Sequence, residues 1–391
     1  MKIGLAIYNF DPKKGGAERY AYDLSSNLAK RGHEVFVFCS DGIEAHGIHL
    51  VKMNTATFPR WLRTLFFALN HKKYLKTVPV DVMLGFGNTF ELDVYQSHGG
   101  VQKVWMEREI ASYDDPKERR LKAILLKNNM NQKIQEWIAE YPIRKKMYRK
   151  IVAISDMVKT NMAAHYKLDD DDFQTVYNGV DTERFTPANA QPTGNLKILF
   201  SAGNFRLKGL RPLLLALGEL TGERKDFHLF IMGRGKKERY QELIRALSMS
   251  GLVTFLGEQA SPEIVYRESH ILVHPTFYDA CSLTTMESMA SGLPTITTKW
   301  NGASTLISEN EGYVIDEPCS VSQLAAAIKS LFDKNLLITM GKMSRQKIEG
   351  YTIEKNVDEM EKILLSTVSG ARACPPQGGH PLSLVKPAKC C

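Results

Sequence analysis

Short apolar runs of strand length alternate along this chain with stretches in which apolar residues return at helical spacing. Residues 3–7 form the first run. Tyr20, Leu24 and Leu28 then share one helix face, and Gly32 marks its end. Further strand-like runs lie at residues 35–38, 80–85, 92–95 and 151–155, and residues 175–177 close the series. Ser155 is placed to cap a helix over residues 157–165. After a soft stretch at residues 186–194, with the composition of a linker, the alternation starts again. Its strands are expected at residues 197–201, 228–232, 253–256, 271–274, 295–298 and 313–315, with helices from about residue 320 to 365. Repeated strand–helix units predict the α/β class, with two Rossmann-like, doubly wound parallel sheets covered by helices. The expected divisions are residues 1–180 and 181–350, a helix at 351–368 and a tail at 369–391. In that tail four prolines and little periodicity predict disorder.

A length of 391 residues suits two domains, and 43% hydrophobic content lets each bury a core. No apolar run reaches the 18 or so residues of a membrane span. The start reads as a first strand and not as a signal peptide, because Asn9, Asp11, Lys13 and Lys14 follow at once. Six cysteines, Cys39, Cys281, Cys319, Cys374, Cys390 and Cys391, are scattered or terminal without metal-like spacing, as expected in a reducing cytoplasm. The net charge of +8 is concentrated. Residues 101–150 hold 13 Lys and Arg against 7 Asp and Glu, interleaved with Trp105, Tyr113, Trp137, Tyr141 and Tyr148. A basic, aromatic-bearing helical stretch fits an anionic lipid surface, and a solvated helical insertion is the bland alternative. Nucleic acid is not expected, since the charge is local and no recognition motif accompanies it.

Chemistry concentrates in residues 279–289, Asp-Ala-Cys-Ser-Leu-Thr-Thr-Met-Glu-Ser-Met. They follow an apolar run ending at Pro275 and precede Gly292 and Pro294, which reads as strand, loop, helix, stop. Ser282 can cap the helix, leaving amides of the Leu283 turn free for an anion. Glu287 lies about a turn and a half further, within reach of a ligand anchored at the helix start. An ordinary capped core helix with two surface acids fits the same residues. Gly15-Gly16 after the first strand lets a phosphate approach a helix start, although a plain tight turn also explains it. Asn178-Gly179 is a turn signal. Lys208-Gly209, with Arg206 nearby, follows the first strand of the second series and offers positive charge. Gly233-Arg234-Gly235 and Gly257-Glu258 end two more strands. His98 precedes Gly99-Gly100, an open-loop pattern at a strand end. His270 and His274 sit within an apolar run and read as structural. No metal-ligand spacing is evident.

Four motifs in this order resemble retaining glycosyltransferases of the GT-B fold, the glycosyl transferases group 1, and in kind the lipopolysaccharide-core glucosyltransferases. They are Gly15-Gly16-Ala-Glu-Arg19, Asn178-Gly179-Val-Asp181, Lys208-Gly209 and Asp279…Glu287. The resemblance spans roughly residues 1–368. The family commonly has Glu at both ends of the last motif, and here the first is the shorter Asp279. The resemblance implies an acceptor-side domain at residues 1–180, a nucleotide-sugar domain at 181–350 and a last helix crossing back to the first. It implies donor contacts from Gly15, Gly16, Arg206, Lys208, Gly233, Ser282, Leu283 and Glu287, and catalytic roles for His98, Lys208 and Asp279, with no metal or other cofactor. The implied activity is retaining transfer of a hexose, glucose from UDP-glucose first, to a lipid-linked saccharide such as a lipopolysaccharide core heptose. The implied location is cytoplasmic, peripheral on the inner face of the plasma membrane. Another nucleotide-sugar donor, a GT-B epimerase and a non-catalytic relative fit the same motifs.

Overall fold

The apolar runs resolve into parallel strands because both faces of each sheet are covered, so nearly every strand residue must be apolar. The computed structural model describes residues 1–55, 59–189 and 193–369. Its strands are β1 (Lys2–Ala6), β2 (Asn9–Phe10), β3 (Glu34–Cys39), β4 (Asp41–Gly42), β5 (Ile48–Lys52), β6 (Val82–Gly85), β7 (Val94–Ser97), β8 (Lys150–Ala153) and β9 (Phe173–Thr175). The second series is β10 (Leu196–Ser201), β11 (Phe227–Met232), β12 (Val253–Gly257), β13 (Ile271–His274), β14 (Thr295–Thr298) and β15 (Gly312–Ile315). The first sheet runs β5-β3-β1-β6-β7-β8-β9 and the second β12-β11-β10-β13-β14-β15, with β2 and β4 paired separately. The helices are α1 (Gly16–Lys30), α2 (Arg60–Tyr74), α3 (Gln102–Ala111), α4 (Pro116–Asn128), α5 (Met130–Arg144), α6 (Asp156–Tyr166), α7 (Leu210–Leu220), α8 (Gln241–Ala246), α9 (Pro262–Glu268), α10 (Leu283–Ala290), α11 (Val321–Ser330), α12 (Lys334–Ile348) and α13 (Ile353–Ser369).

Alternation along the strands sends neighbours to opposite cores. Val37, Val82, Leu84, Val94 and Val152 face one layer with Leu24 and Leu28 of α1. Phe38, Met83, Tyr95, Ile151 and Ala153 face the other. The first layer is completed from the far end of the chain by Val357, Met360, Ile363 and Leu364 of α13. Their i, i+3, i+4 spacing is one helix face. Arg31 locks that helix down through Asp358 and Glu361, both at 2.6 Å.

Some elements differ from expectation. The edge strand β5 and helix α2 were not anticipated. β5 is an exposed edge without a long apolar run, and α2 mixes buried Phe67 and Ala68 with exposed Phe66 and Leu69. The last strand of the first sheet is Phe173–Thr175, earlier than residues 175–177. The basic region 101–150 is three helices, α3 to α5, and its aromatics are not all at the surface. Tyr141 and Trp137 pack edge-on against Phe90. Ser369 ends α13, and the remainder of the expected disordered tail, residues 370–391, lies outside the described residues.

The chain passes between the sheets twice, side by side. Val180 and Thr352 form a parallel bridge, with the Val180 amide donating to the Tyr351 carbonyl at 3.0 Å. Gly179 lies against this crossing. A Cβ there would come within 2.4 Å of the Ile353 Cα, which is backbone and cannot swing aside. Gly179→Ala should therefore force the two crossings apart and destabilise the fold by about 1–3 kcal/mol, as overpacking does. Thermal unfolding checks this, and an unchanged midpoint would mean the crossing is loose.

Candidate active site

The loop joining β13 to α10 enters the interface between the two sheets. Its backbone carbonyls are hydrogen-bonded by side chains of the first domain. Ser155 Oγ donates to the Ala280 carbonyl at 2.7 Å, and Asn178 Nδ2 to that of Cys281 at 3.2 Å. In return Tyr278 OH donates to the Gly99 carbonyl at 3.0 Å. Two glycines make room. A Cβ on Gly302 would meet the Ala280 oxygen at 1.8 Å, and one on Gly209, whose φ is +84°, would meet the Pro275 oxygen at 2.0 Å. Asn301, fully buried, ties the loop to the next strand. Its Oδ1 accepts from the Ser282 and Ala303 amides, and its Nδ2 donates to the Thr285 and Thr297 hydroxyls.

This loop presents Asp279. Its Oδ2 lies 2.6 Å from Lys208 Nζ, which also donates to the Tyr278 carbonyl at 3.0 Å. His274 sits beneath, 3.6 Å from the same oxygen. Burial alone would raise the Asp279 carboxyl. Lys208, with His274 behind it, outweighs that and holds the group below the usual carboxylate range. Among the described residues Oδ1 accepts no hydrogen bond. His274 was expected to be structural. It is buried, but its place under Asp279 gives it an electrostatic part as well.

Ser282 caps α10 as expected, its side chain accepting from the Thr285 amide. The Leu283 and Thr284 amides begin the helix without a partner among the described residues. Across the interface stands the start of α1. A Cβ on Gly16 would lie 3.8 Å from Leu283 Cδ1, and Gly15 precedes it in extended conformation. Glu287, with 16% of its side chain exposed, points into a small cavity of about 30 Å³ between α1, α10 and the start of α13. Tyr266 OH donates to its Oε2 at 3.0 Å, and Arg19 approaches its Oε1 at 3.9 Å. Burial pushes the Glu287 carboxyl up, and Arg19 opposes this. The two acids of the motif are thus shifted in opposite directions.

His98 follows β7 and borders a larger cavity of about 520 Å³ in the first domain, with Asn9, Arg63, Asn131 and Gln135 on its walls. The imidazole packs between Tyr20 and Phe86, with centroids at 4.6 and 5.1 Å. Burial lowers its pKa to about 3, so it is neutral at pH 7. Its Nε2 is buried without a partner among the described residues.

Arg206 is placed differently from expectation. It reaches into the first domain, where Nη2 meets Glu109 Oε1 at 2.7 Å and the guanidinium lies 3.6 Å above the Tyr113 ring. Gly233, at φ +126°, is required by backbone alone, since a Cβ would meet the Ala202 oxygen at 1.9 Å. Arg234 and Glu258, on the two glycine loops, form an ion pair. His270 Nδ1 accepts from the Lys197 amide at 3.1 Å, a purely local tie. Among the described residues no group of three or more His, Cys, Asp and Glu is arranged to hold a metal. Sequence reasoning missed Asn301, Tyr266 and the pinning role of Ser155. Only Asn301, in a polar Asn-Gly pair just after a buried strand, carried a local signal.

Comparison with known proteins places the chain among glycosyltransferases. The profile described as glycosyl transferases group 1 matches residues 181–351, and that of glycosyltransferase family 4 matches residues 14–184. Lipopolysaccharide glucosyltransferase WaaG of Escherichia coli (strain K12) is 22% identical over 353 residues, covering 86% of this chain and 91% of the relative. The crystal structure of WaaG superposes with TM-score 0.75 at 21% identity, over 93% of this chain and 99% of that one. Sucrose-phosphate synthase from Thermosynechococcus elongatus gives TM-score 0.75 at 18% identity, over 94% and 99%. Anabaena HepE in complex with UDP and glucose gives TM-score 0.67 at 16% identity, over 94% and 100%. These likenesses identify the fold as GT-B.

Asp279→Asn leaves Lys208 unpaired in a largely buried setting and should destabilise the protein by about 3 kcal/mol at neutral pH. The folded-state pKa of Asp279 lies below its ordinary 3.8. The stabilisation is therefore complete above that value and lost as pH falls through the lowered one. Denaturant titrations between about pH 5 and pH 2 should show a steeper acid loss in wild type than in Asp279→Asn. Parallel acid limbs would remove Asp279 from the account.

Proposed function

Since this chain is a glycosyltransferase of the glycosyl transferases group 1 family, we propose that it transfers a hexose with retention of anomeric configuration. The donor is UDP-glucose, and the acceptor is a lipid-linked saccharide such as a lipopolysaccharide core heptose. The observation that carries this reading is the meeting of two helix starts. α10, with Lys208–Asp279 beside it and Glu287 on its face, confronts the Gly15-Gly16 start of α1.

In this reading the diphosphate rests at the amides of Leu283 and Thr284, where the helix dipole favours negative charge. The bond between the anomeric carbon and the diphosphate oxygen breaks. The acceptor oxygen bonds to that carbon on the same face, and its proton passes to the departing diphosphate. Charge on the leaving group grows as this happens, and Lys208 with the helix start is preorganised for it. Asp279 Oδ1 accepts from a sugar hydroxyl. Glu287 accepts from the ribose, having exchanged Arg19 for the hydroxyls. His98, kept neutral by its surroundings, hydrogen-bonds the transferred sugar near its reactive carbon. The 520 Å³ cavity beside His98 receives the acceptor. Its walls carry amides and hydroxyls, which suit a polyhydroxylated ring. The complex of HepE with UDP and glucose and the activity named for WaaG support the donor and acceptor classes.

A peripheral site on the inner face of the plasma membrane fits the surface of α4. Leu121, Ile124 and Leu125 are 58%, 51% and 58% exposed on one face, and Lys117, Arg119, Arg120 and Lys127 belong to the same helix. Such a helix lies in an anionic lipid interface without crossing it. No helix among the described residues is long and apolar enough to span a membrane.

Purified protein screened for binding and slow hydrolysis of UDP-, GDP- and ADP-sugars tests the donor. Glu287→Gln should weaken the responsive donor by roughly 1.5–3 kcal/mol, about ten- to a hundredfold. Unaltered affinity and turnover in that variant would refute the ribose contact, and a GDP- or ADP-sugar response would replace the donor. Changing Leu121, Ile124 and Leu125 together to Asp should abolish sedimentation with anionic vesicles. Retained binding would move the membrane surface elsewhere.

A further inference from the structure

The short loop after β10 carries two cations that point to different domains. Lys208 stays at home on Asp279. Arg206, two residues earlier, plugs into the last turn of α3. Its Nη1 donates to the Glu109 carbonyl at 3.2 Å and to Ser112 Oγ, and its Nη2 donates to Glu109 Oε1 at 2.7 Å. The guanidinium stacks on Tyr113. A helix C-terminus carries partial negative charge, so the socket suits a cation twice over. Glu109 is 4% exposed, and its Oε1 also takes Lys122 of α4 at 3.2 Å. Its Oε2 is buried with no partner among the described residues. A carboxylate held this dry with one oxygen unused is costly, and it is held by cations on both sides.

The same turn of α3 sends a cation the other way. Arg108 stacks at 3.8 Å on Trp300, donates to the Phe277 carbonyl at 3.0 Å and pairs with Glu317 at 2.8 Å. The two domains are therefore clasped by reciprocal arginines at one helix end. On the Arg108 side, Glu317 also accepts from Trp300 Nε1 at 3.0 Å and lies 3.6 Å from Lys299. The Arg206 side uses a cation from the loop that also positions Lys208.

We propose that Glu109 is a positioning residue that holds Arg206 in reserve: the diphosphate of the donor displaces the Glu109 carboxylate from the guanidinium, and this removes one tie of α3 and α4 to the second domain while those of Arg108 and of Arg211 with Asp114 remain. It rests on the donor reading of the cleft given above. A phosphate and a carboxylate compete for the same planar donor fork, and bidentate pairing favours whichever anion brings more charge. Because Lys122 ties Glu109 to α4, loss of Arg206 from the socket is felt on the helix that carries the exposed apolar face. Donor occupancy and the position of the α3–α4 hairpin are thereby coupled, and by linkage each biases the other.

The test is calorimetric binding of UDP and of inorganic pyrophosphate to full-length wild type, Glu109→Gln, Glu109→Asp, Arg206→Gln and the Glu109→Gln/Arg206→Gln pair. It is combined with amide exchange over residues 102–128 with and without UDP. Glu109→Gln should bind UDP about five- to tenfold more tightly, because the competing charge is gone. Glu109→Asp should restore wild-type affinity, and the gain should vanish when Arg206 is also replaced. UDP should speed exchange in α3 and α4 of wild type, and Glu109→Gln should show that faster exchange without UDP. Unchanged or weaker binding by Glu109→Gln at equal thermal stability overturns the proposal. So does a gain that survives loss of Arg206. Tight UDP binding that Arg206→Gln leaves untouched overturns it while sparing the donor reading. No binding of either anion by any variant overturns both.

Discussion

The backbone of residues 275–282 has to run through the contact between two domains with its carbonyls satisfied. Everything at the site depends on how that is done. A buried backbone group without a partner is expensive, so the first domain supplies Ser155 and Asn178 as donors to loop carbonyls, and buried Asn301 of the second accepts from the Ser282 amide. Once these bonds are made, the loop has no freedom left. Asp279 must face Lys208, Ser282 must cap α10, and α10 must point its amides at α1. The glycines at 209 and 302 follow from the same demand, because each stands where the backbone of this loop passes too close for a Cβ.

On this frame the electrostatics sort the polar groups into distinct states. Asp279 is a firm anion, since Lys208 and His274 together outweigh its burial. Glu287 is pushed the other way by burial, with Arg19 at 3.9 Å too distant to compensate fully. His98 is neutral. In the proposed reading the three states divide the work: a fixed charge near the phosphate end, an acceptor that gains from new hydrogen-bond donors, and a neutral ring beside the sugar. The opposite shifts arise from one difference. Asp279 has a lysine in contact, and Glu287 has a tyrosine hydroxyl in contact and a guanidinium further off.

The α3–α5 helices connect surface to site. They contribute an exposed apolar face on α4, a wall of the large cavity from α5 and the arginine socket at the end of α3. These three helices thus link an exposed apolar surface, the large cavity and the second domain. The charge excess that stood out in residues 101–150 is partly spent on internal pairs, among them Lys122 with Glu109 and Arg144 with Glu140. What remains for a lipid surface is smaller than composition alone suggests.

The sequence by itself determined the class of fold and the local parts of the site. Runs such as Ile3-Gly-Leu-Ala-Ile7 carry no polar side chain because they lie in a doubly covered sheet, and Ser282 caps the helix it was expected to cap. Those features rest on near neighbours, so spacing reveals them. β5 and α2 left weaker traces, because an edge strand and a half-exposed helix bury too little to impose a pattern. The tertiary structure alone decided the rest. That Arg206 enters a socket 97 residues away on α3, that His274 underlies Asp279 and that Ser155 holds a carbonyl 125 residues distant are consequences of which backbones meet. Such pairings are set by the packing of two whole domains, and a carboxylate, imidazole or hydroxyl carries no mark in sequence of the partner that packing will bring to it.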